Sequence, residues 1–212
     1  MKVPISGQLT GQPEIDNVLE VARSRHYGGG IWTNRFERKF ADYMGARYAI
    51  LCNSGSSANL LALAALELPK GSEVLTCAVN FPTTVNAIIQ LGLRPVFVDA
   101  NPKTLQIKLP SVIDEDIKAA VIAHTLGNVA DIPDNLTAIE DCCDAIGSTI
   151  NGDMVGRRGI MSTASFYPAH HITMGEGGAI LTDDAKLKKV IESFRDWGRD
   201  CWCEPGKDNT CG

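Results

Sequence analysis

Two adjacent histidines follow a short apolar run in the segment SFYPAHHITMGEGG, residues 165–178. Histidine titrates near neutral pH, so a positioned imidazole can remove a proton from a bound substrate. We interpret His170 as the candidate base and His171 as structural. The alternative for His170 is a structural histidine or a decayed site. The catalytic interpretation is favoured because residues suited to binding a cofactor accompany it.

A turn of small residues offers a place for a phosphate group. Gly55, Ser56 and Ser57 stand between an apolar run and a helical pattern. Free backbone N–H groups, hydroxyls and the helix dipole can hold an anion at such a point. Ordinary strand-to-helix geometry is the alternative for this turn. Ser165, close to the histidines, is a second candidate phosphate contact.

An aromatic ring and a carboxylate follow two other apolar runs. Phe81 precedes Pro82 at the end of one run, where core packing is the alternative role. Asp141 ends another run, and a carboxylate buried there needs a cationic partner; an N-cap or surface position is the alternative. With the phosphate cradle, these groups describe pyridoxal phosphate, whose ring acts as an electron sink when a carboxylate keeps its nitrogen protonated.

Alternating sequence patterns place these residues at the ends of strands. Apolar runs predict strands over residues 47–53, 73–79, 94–100, 119–125, 136–142, 162–168 and 177–183. Helical spacing predicts helices over residues 14–25, 33–45, 57–68, 83–92, 111–119 and 184–198, the second with Thr33 as N-cap and Gly45 as terminator. This alternation predicts an α/β fold with a mostly parallel sheet covered by helices on both faces. Ligands of such sheets bind at the carboxyl ends of the strands.

Composition excludes several classes of protein. The chain has 212 residues, 44% hydrophobic and 21% charged, which suits one sizeable core. A net charge of −5 without a Lys/Arg run argues against nucleic-acid binding. The sequence lacks the roughly 18 consecutive apolar residues of a membrane span. We therefore expect a soluble cytoplasmic protein.

The predicted elements divide into an N-terminal helical segment, residues 1–30, and a cofactor-binding large domain, residues 31–212. Because the last residues carry no closing element, we expect the N-terminal part of a longer protein that also has a C-terminal small domain. Three of the seven cysteines, Cys201, Cys203 and Cys211, crowd near the end. That arrangement favours metal ligation or redox chemistry over a disulfide framework.

Residues 29–183 resemble the DegT/DnrJ/EryC1/StrS sugar-nucleotide aminotransferases, which are fold type I pyridoxal-phosphate enzymes. The matching segments are RFERKFADYMGARYAILCNSGSSANLLAL, NFPTTVNAI, PVFVDA, AIEDCCDAIGS and SFYPAHHITMGEGGAILT. The resemblance assigns these residues to the cofactor: Gly55, Ser56, Ser57 and Ser165 to its phosphate, Phe81 to its ring face, Asp141 to its ring nitrogen and Asp144 to the ring hydroxyl. At the last position the family more often has Gln or His.

His170 marks a departure from that family. Its aminotransferases read Ser-Phe-(Phe/Tyr)-Pro-x-Lys, and the lysine forms a Schiff base with the cofactor. An imidazole cannot form that bond, so the resemblance implies non-covalent binding of pyridoxamine 5′-phosphate. Transamination by the usual route is disfavoured. The lysine-less members of the family are dehydratases that remove the 3-hydroxyl of a nucleotide-linked 4-keto sugar.

Cysteine spacing separates two lysine-less subgroups. One contains no metal. The other, the CDP-6-deoxy-4-keto-glucose 3-dehydratase type of 3,6-dideoxyhexose and lipopolysaccharide O-antigen biosynthesis, carries a [2Fe-2S] cluster with the pattern Cys-x57-Cys-x-Cys-x7-Cys. This chain repeats the pattern at Cys143, Cys201, Cys203 and Cys211, and four thiolates are the expected number. Cys142 is the rival for the first position, but Cys143 has the register with His170 that the resemblance requires.

The resemblance thus implies a homodimeric dehydratase acting on a nucleotide-linked 4-keto-6-deoxyhexose. His170 would remove a proton from the C-4′ carbon of the cofactor, and the cluster would relay electrons from an NAD(P)H-dependent flavin and iron–sulfur reductase. Three alternatives stay open: a cluster-free dehydratase, a sugar-nucleotide aminotransferase, and a non-catalytic sensor or scaffold.

Overall fold

A computed structural model describes residues 7–199 of the chain. The α-helices of this part are Gln12–Ser24 (α1), Ile31–Met44 (α2), Gly55–Ala64 (α3), Pro82–Gln90 (α4) and Ala185–Arg195 (α5). The strands are Tyr48–Cys52 (β1), Glu73–Cys77 (β2), Arg94–Val98 (β3), Ile117–Ala123 (β4), Ala138–Asp141 (β5), Thr149–Ile150 (β6), Asp153–Met154 (β7), Met161–Ser165 (β8) and Gly178–Thr182 (β9). None of the described helices combines the length and apolarity needed to cross a membrane.

Seven strands form one sheet in the order β1-β9-β8-β5-β4-β2-β3. The pairs β2–β3, β2–β4, β4–β5 and β5–β8 are parallel. Strand β9 is antiparallel to both of its neighbours, β1 and β8. Because two reversals restore the direction, β1 runs the same way as β8. The carboxyl ends of β1, β2, β4, β5 and β8 therefore share one edge of the sheet.

Side chains alternate between the two faces of the sheet along each strand, and helices pack against both faces. Ile50, Ile139 and Ile180 belong to the core cluster that includes residues of α3, α4 and α5. On the other face, Phe166 packs edge-on against Phe36 and Phe40 of α2, with ring centroids 5.1 Å apart in each pair. The predicted α/β fold, with a mostly parallel sheet between helices, is confirmed.

Two local predictions were wrong. Residues 111–119 do not form a helix: the carbonyl of Asp114 accepts from the N–H of Ile117 at 3.0 Å, and its carboxylate accepts from the N–H of Asp116 at 3.0 Å. This Asp-centred turn leads directly into β4. Thr33 is not an N-cap, because α2 begins at Ile31.

The start of β9 explains part of the glycine cluster in residues 165–178. A side chain at Gly178 would collide with the carbonyl group of Ser54, in the turn between β1 and α3. Only glycine allows the two backbones to approach this closely.

At the N-terminus, α1 buries none of its side chains, whereas α2 buries Phe40, Ala41 and Met44. The division between residues 1–30 and 31–212 stays a prediction.

Candidate active site

A cavity of about 610 Å³ opens at the edge where the parallel strands end. That volume suits a cofactor-sized ligand. Its wall combines strand ends with the first turns of α3 and α4. Of the residues predicted from the sequence, the wall includes Gly55, Ser56, Phe81, Asp141, Cys143, Asp144, Ser165 and His170. The strand topology thus gathers segments that are more than 100 residues apart in the chain.

The first turn of α3 forms one corner of the cavity. Gly55 and Ser56 lie on the wall near Ser165, whereas Ser57 does not line it. The N–H of Ser57 donates to Oγ of Ser54 at 3.1 Å, and that hydroxyl donates to Oγ of Ser57 at 3.1 Å. Ser54 is the N-cap of α3, so Ser57 takes part in helix capping, and its contact with a phosphate stays a prediction.

Glycine is required at position 55 by close packing. A β-carbon there would lie 2.7 Å from Cβ of Ser165 and 3.1 Å from Sγ of Cys143. Contacts this short are strongly repulsive. The glycine therefore lets α3, β8 and the segment after β5 converge on one corner.

Asp141 presents a buried carboxylate to the cavity, with only 7% of the residue exposed. Its Oδ2 accepts from Nδ2 of Asn59 at 2.8 Å, and its Oδ1 accepts from the N–H of Cys143 at 3.1 Å. Both donors are neutral, and no lysine or arginine lines the wall in the part of the chain that is described. A buried anion without a cationic partner fits a ligand that brings positive charge, such as a protonated pyridine nitrogen.

His170 faces the cavity beside a second carboxylate. Its Nδ1 lies 3.4 Å from Oδ1 of Asp144. The backbone N–H of His170 donates to the carbonyl of Tyr167 at 2.9 Å, which closes a tight turn after β8. Asp144 favours a proton on Nδ1 and so leaves Nε2 free to accept one. His171 is exposed.

His124 is a wall residue for which no role was predicted from the sequence. Its Nδ1 accepts from the N–H of Ala130 at 3.1 Å, so the proton lies on Nε2, 2.8 Å from Oε2 of Glu140. Glu140 also accepts three backbone N–H bonds from the segment 156–159. Burial raises the pKa of Glu140, but the hydrogen bonds from His124 and the backbone outweigh it and hold the pKa below its usual value.

The two adjacent cysteines have different surroundings. Cys142 is fully buried in a cluster with Ala145 and Val155, whereas Cys143 lines the cavity. Burial, together with the carboxylate of Asp141, raises the pKa of the Cys143 thiol well above its usual value. Cys201, Cys203 and Cys211 lie outside the described residues. Within residues 7–199, no three His, Cys, Asp or Glu side chains come together as a metal site.

Asn59 is a second polar wall residue for which no role was predicted from the sequence. Its signal was a single amide within the apolar helical run SANLLALAAL. Asn59 is 3% exposed, and buried amides require hydrogen-bond partners. The partners themselves come from β5 and β8, so they could not be identified from the helix alone.

A sequence model of the "DegT/DnrJ/EryC1/StrS aminotransferase family" matches residues 8–209. Lipopolysaccharide biosynthesis protein RfbH of Salmonella typhimurium is 49% identical over 99% of this chain and 52% of its own length. The dTDP-4-dehydro-2,6-dideoxy-D-glucose 3-dehydratase of Saccharopolyspora spinosa is 47% identical over 97% of this chain and 49% of its own length. This chain spans about half the length of these curated relatives.

Solved structures show the same fold. GDP-4-keto-6-deoxymannose-3-dehydratase with a trapped PLP–glutamate geminal diamine superposes with a TM-score of 0.89 at 31% identity, over 93% of this chain and 56% of that one. The E. coli GDP-4-keto-6-deoxy-D-mannose-3-dehydratase with bound hydrated PLP gives 0.85 at 31% identity, over 91% and 53%. The aminotransferase from Psychrobacter cryohalolentis gives 0.86 at 29% identity, over 99% and 57%.

Proposed function

The chain belongs to the DegT/DnrJ/EryC1/StrS aminotransferase family, and from that membership we propose that it forms the cofactor-binding part of a sugar-nucleotide 3-dehydratase. The substrate is a nucleotide-linked 4-keto-6-deoxyhexose, and the pathway is deoxysugar and lipopolysaccharide biosynthesis. Relatives named as lipopolysaccharide biosynthesis protein and as sugar 3-dehydratases support this choice.

One observation carries the choice of dehydration over amino transfer. The described wall of the cavity holds His170 and no lysine. A lysine that bonds covalently to pyridoxal phosphate is the usual device of aminotransferases. With an imidazole in the cavity, non-covalent pyridoxamine 5′-phosphate is the matching cofactor, and proton removal is the matching role for the side chain.

The described residues fit this cofactor. Asp141 would pair with the ring nitrogen, Phe81 would cover the ring, and the corner formed by Gly55, Ser56 and Ser165 would hold the phosphate. When bound, pyridoxamine 5′-phosphate supplies a primary amine for the keto group and a ring that accepts electrons.

His170 supplies the proton transfer. Because Asp144 lies 3.4 Å from Nδ1, Nε2 is the nitrogen that accepts a proton from the ligand. The imidazolium formed in this way is stabilised by the same carboxylate. It can then return the proton to the departing 3-hydroxyl of the sugar, which leaves as water.

We also propose that Cys143, with Cys201, Cys203 and Cys211, holds a [2Fe-2S] cluster. The position of Cys143 on the cavity wall supports it as the first ligand over the buried Cys142. Without a cation, burial and Asp141 keep the Cys143 thiol protonated; iron reverses that preference. The cluster would receive electrons from an NAD(P)H-dependent flavin and iron–sulfur reductase.

The charge of the wall supports completion of the site by a further chain segment. Its described part contains three carboxylates, Asp141, Asp144 and Glu176, and lacks lysine and arginine. A nucleoside diphosphate and a cofactor phosphate are both anionic and require positive charge nearby. A second copy in a homodimer, or the part of the relatives' length that this chain does not span, would supply it.

The decisive test follows the 3-hydroxyl oxygen. The full-length protein is loaded with pyridoxamine 5′-phosphate and given CDP-, dTDP- or GDP-linked 4-keto-6-deoxyhexose in ¹⁸O-water. Reversible elimination places ¹⁸O at C3, and fragmentation in the mass spectrometer separates it from ¹⁸O that the keto group at C4 exchanges with water. Failure to incorporate ¹⁸O at C3 with every carrier would contradict the dehydratase proposal. Iron and sulfide analysis of anaerobically purified protein separates the cluster-containing from the cluster-free type.

A sugar-nucleotide aminotransferase is the second candidate. Its support is the similarity to solved aminotransferases, one of which covers 99% of this chain. Transfer of ¹⁵N from glutamate to the sugar would establish it. His170 makes such transfer unfavourable, since no described lysine reaches the cavity wall.

A further inference from the structure

Asp141 is held by a chain of two buried polar side chains. The hydroxyl of Thr163, on β8, donates to Oδ1 of Asn59 at 2.7 Å. Nδ2 of Asn59, on α3, donates to Oδ2 of Asp141 at 2.8 Å. The exposed fractions of Thr163 and Asn59 are 0% and 3%. We refer to these two residues as the Thr163–Asn59 relay.

The orientation of the Asn59 amide follows from its two partners. Oδ1 of Asn59 accepts from Thr163, so Nδ2 faces the carboxylate. A rotated amide would place Oδ1 against Oδ2 of Asp141, oxygen against ionised oxygen, which is repulsive. The carboxylate, which can only accept, therefore selects the orientation in which Nδ2 faces it, and the Thr163 hydroxyl satisfies Oδ1 of Asn59 by donating.

The relay stands in an otherwise apolar setting. The buried neighbours of Asn59 on α3 include Ala58, Ala62 and Leu63. A leucine at position 59 would suit that packing, whereas a buried amide is tolerated only when its hydrogen bonds are made. One bond of Asn59 comes from Thr163 and the other ends on Asp141, and these two partners are paired across neighbouring strands. The Thr163–Asn59 relay thus orients the carboxylate of Asp141.

We propose that Asn59 and Thr163 are positioning residues that fix the Asp141 carboxylate for pairing with the ring nitrogen of the cofactor. This inference rests on the proposed function, because it takes pyridoxamine 5′-phosphate as the ligand. Among the described residues, the carboxylate of Asp141 accepts one other hydrogen bond, from the N–H of Cys143 to Oδ1. Without the relay, a single donor would leave the carboxylate plane free to turn away from the ring nitrogen.

The test compares two probes, pyridoxamine 5′-phosphate and its 1-deaza analogue, in which a C–H group replaces the ring nitrogen. Equilibrium dialysis gives the Kd of each for the full-length protein. The Kd of the 1-deaza analogue divided by the Kd of pyridoxamine 5′-phosphate isolates the contact with the ring nitrogen, since both probes make all other contacts. Asn59→Leu should lower the wild-type ratio about tenfold, the effect of one hydrogen bond to a charged group.

Thr163 provides a matched pair of variants. Thr163→Val keeps the shape and loses the hydroxyl, and it should lower the ratio in the same direction. Thr163→Ser keeps the hydroxyl and should preserve the ratio. Thr182→Val removes a hydroxyl that donates to the carbonyl of Ile160 at 3.1 Å, in the same sheet but away from the cavity. It should reduce stability without changing the ratio.

The outcomes distinguish the relay from the cofactor assignment. A wild-type protein that binds both probes equally, or neither, overturns the proposed pairing of Asp141 and with it the relay. A wild-type preference that Asp141→Asn abolishes, but that Asn59→Leu and Thr163→Val retain within twofold, overturns the relay alone. If Asn59→Leu does not fold, the comparison of Thr163→Val with Thr163→Ser decides.

Discussion

Nε2 of His124 donates to Oε2 of Glu140 across 2.8 Å, and both side chains are completely buried. His124 directly follows β4, and Glu140 lies in β5, next to Asp141. The backbone N–H of His124 also donates to the carbonyl of Asp141 at 3.0 Å. Glu140 further accepts from the backbone of the segment 156–159. The pair thereby ties two strand ends and a loop together beneath the cavity.

Glu140→Gln should destabilise the protein by about 3 kcal/mol. Both oxygens of the carboxylate accept hydrogen bonds, whereas the NH₂ group of the amide cannot accept, so buried N–H groups would lose their partners. Urea denaturation at pH 7 measures the loss. Glu20→Gln, on the exposed face of α1, is the control and should stay within about 0.5 kcal/mol of the parent. An equally small effect at position 140 would contradict the structural role.

The same carboxylate makes stability depend on pH. Its pKa is lowered in the folded state by His124 and the backbone donors. The stabilisation is therefore complete above the unfolded pKa of about 4.3 and is lost as pH falls towards the lower folded value. Between about pH 5 and pH 3, the parent should lose more unfolding free energy than Glu140→Gln. An equal loss of unfolding free energy in the parent and in Glu140→Gln between these two pH values would contradict this sign.

Local patterns predicted most of the elements, because strands and helices leave period-two and period-3.6 signatures. They failed at residues 111–119, where apolar spacing suggested a helix and Asp114 instead makes a turn. The capping of α3 by Ser54 was not predicted either, since it depends on the rotation of one side chain. Asn59, His124 and Glu140 were missed because their partners lie on other strands. Pairings across the sheet follow from topology, which local periodicity does not encode.

His170→Asn should leave the Kd for pyridoxamine 5′-phosphate within a few-fold of the parent value. In the presence of the 4-keto sugar, exchange of the C-4′ hydrogen with D₂O should fall by about 10²- to 10⁴-fold, since an amide cannot act as a base. NMR of the recovered cofactor measures the exchange. The neighbouring His171→Asn, at an exposed position, should exchange normally. Normal exchange in the His170 variant would remove that residue from the mechanism.

Asp144→Asn tests the carboxylate beside the imidazole. Its Oδ1 lies 3.4 Å from Nδ1 of His170, so removal of its charge should slow C-4′ hydrogen exchange about tenfold while cofactor affinity is unchanged. Glu176→Gln, a change at the other exposed carboxylate of the wall, is the matched control. Weaker cofactor binding with normal exchange would instead place Asp144 at the ring hydroxyl, as the family resemblance implies.

Cysteine variants separate the two halves of the proposed reaction. Cys143→Ser and Cys201→Ser should each lose iron and its visible absorbance, because a serine hydroxyl is a poor substitute for a thiolate ligand of iron. Cys142→Ser is the matched control: its side chain packs against Ala145 and Val155, away from the cavity. It should keep both iron and product formation, at some loss of stability. Iron retained after Cys201→Ser, or lost after Cys142→Ser, would reassign the ligands.

Elimination needs the base, whereas reduction of its product needs electrons. Full-length Cys201→Ser should therefore make no 3-deoxysugar with NADH and the reductase, yet still exchange the 3-hydroxyl oxygen of the substrate with ¹⁸O-water. The rate of that exchange should depend on His170, which lies on the described cavity wall, and not on iron. In His170→Asn/Cys201→Ser, oxygen exchange should also stop. Normal 3-deoxysugar formation by Cys201→Ser would show that the cysteines do not relay the electrons, and the cluster assignment would fail while the dehydratase assignment stood.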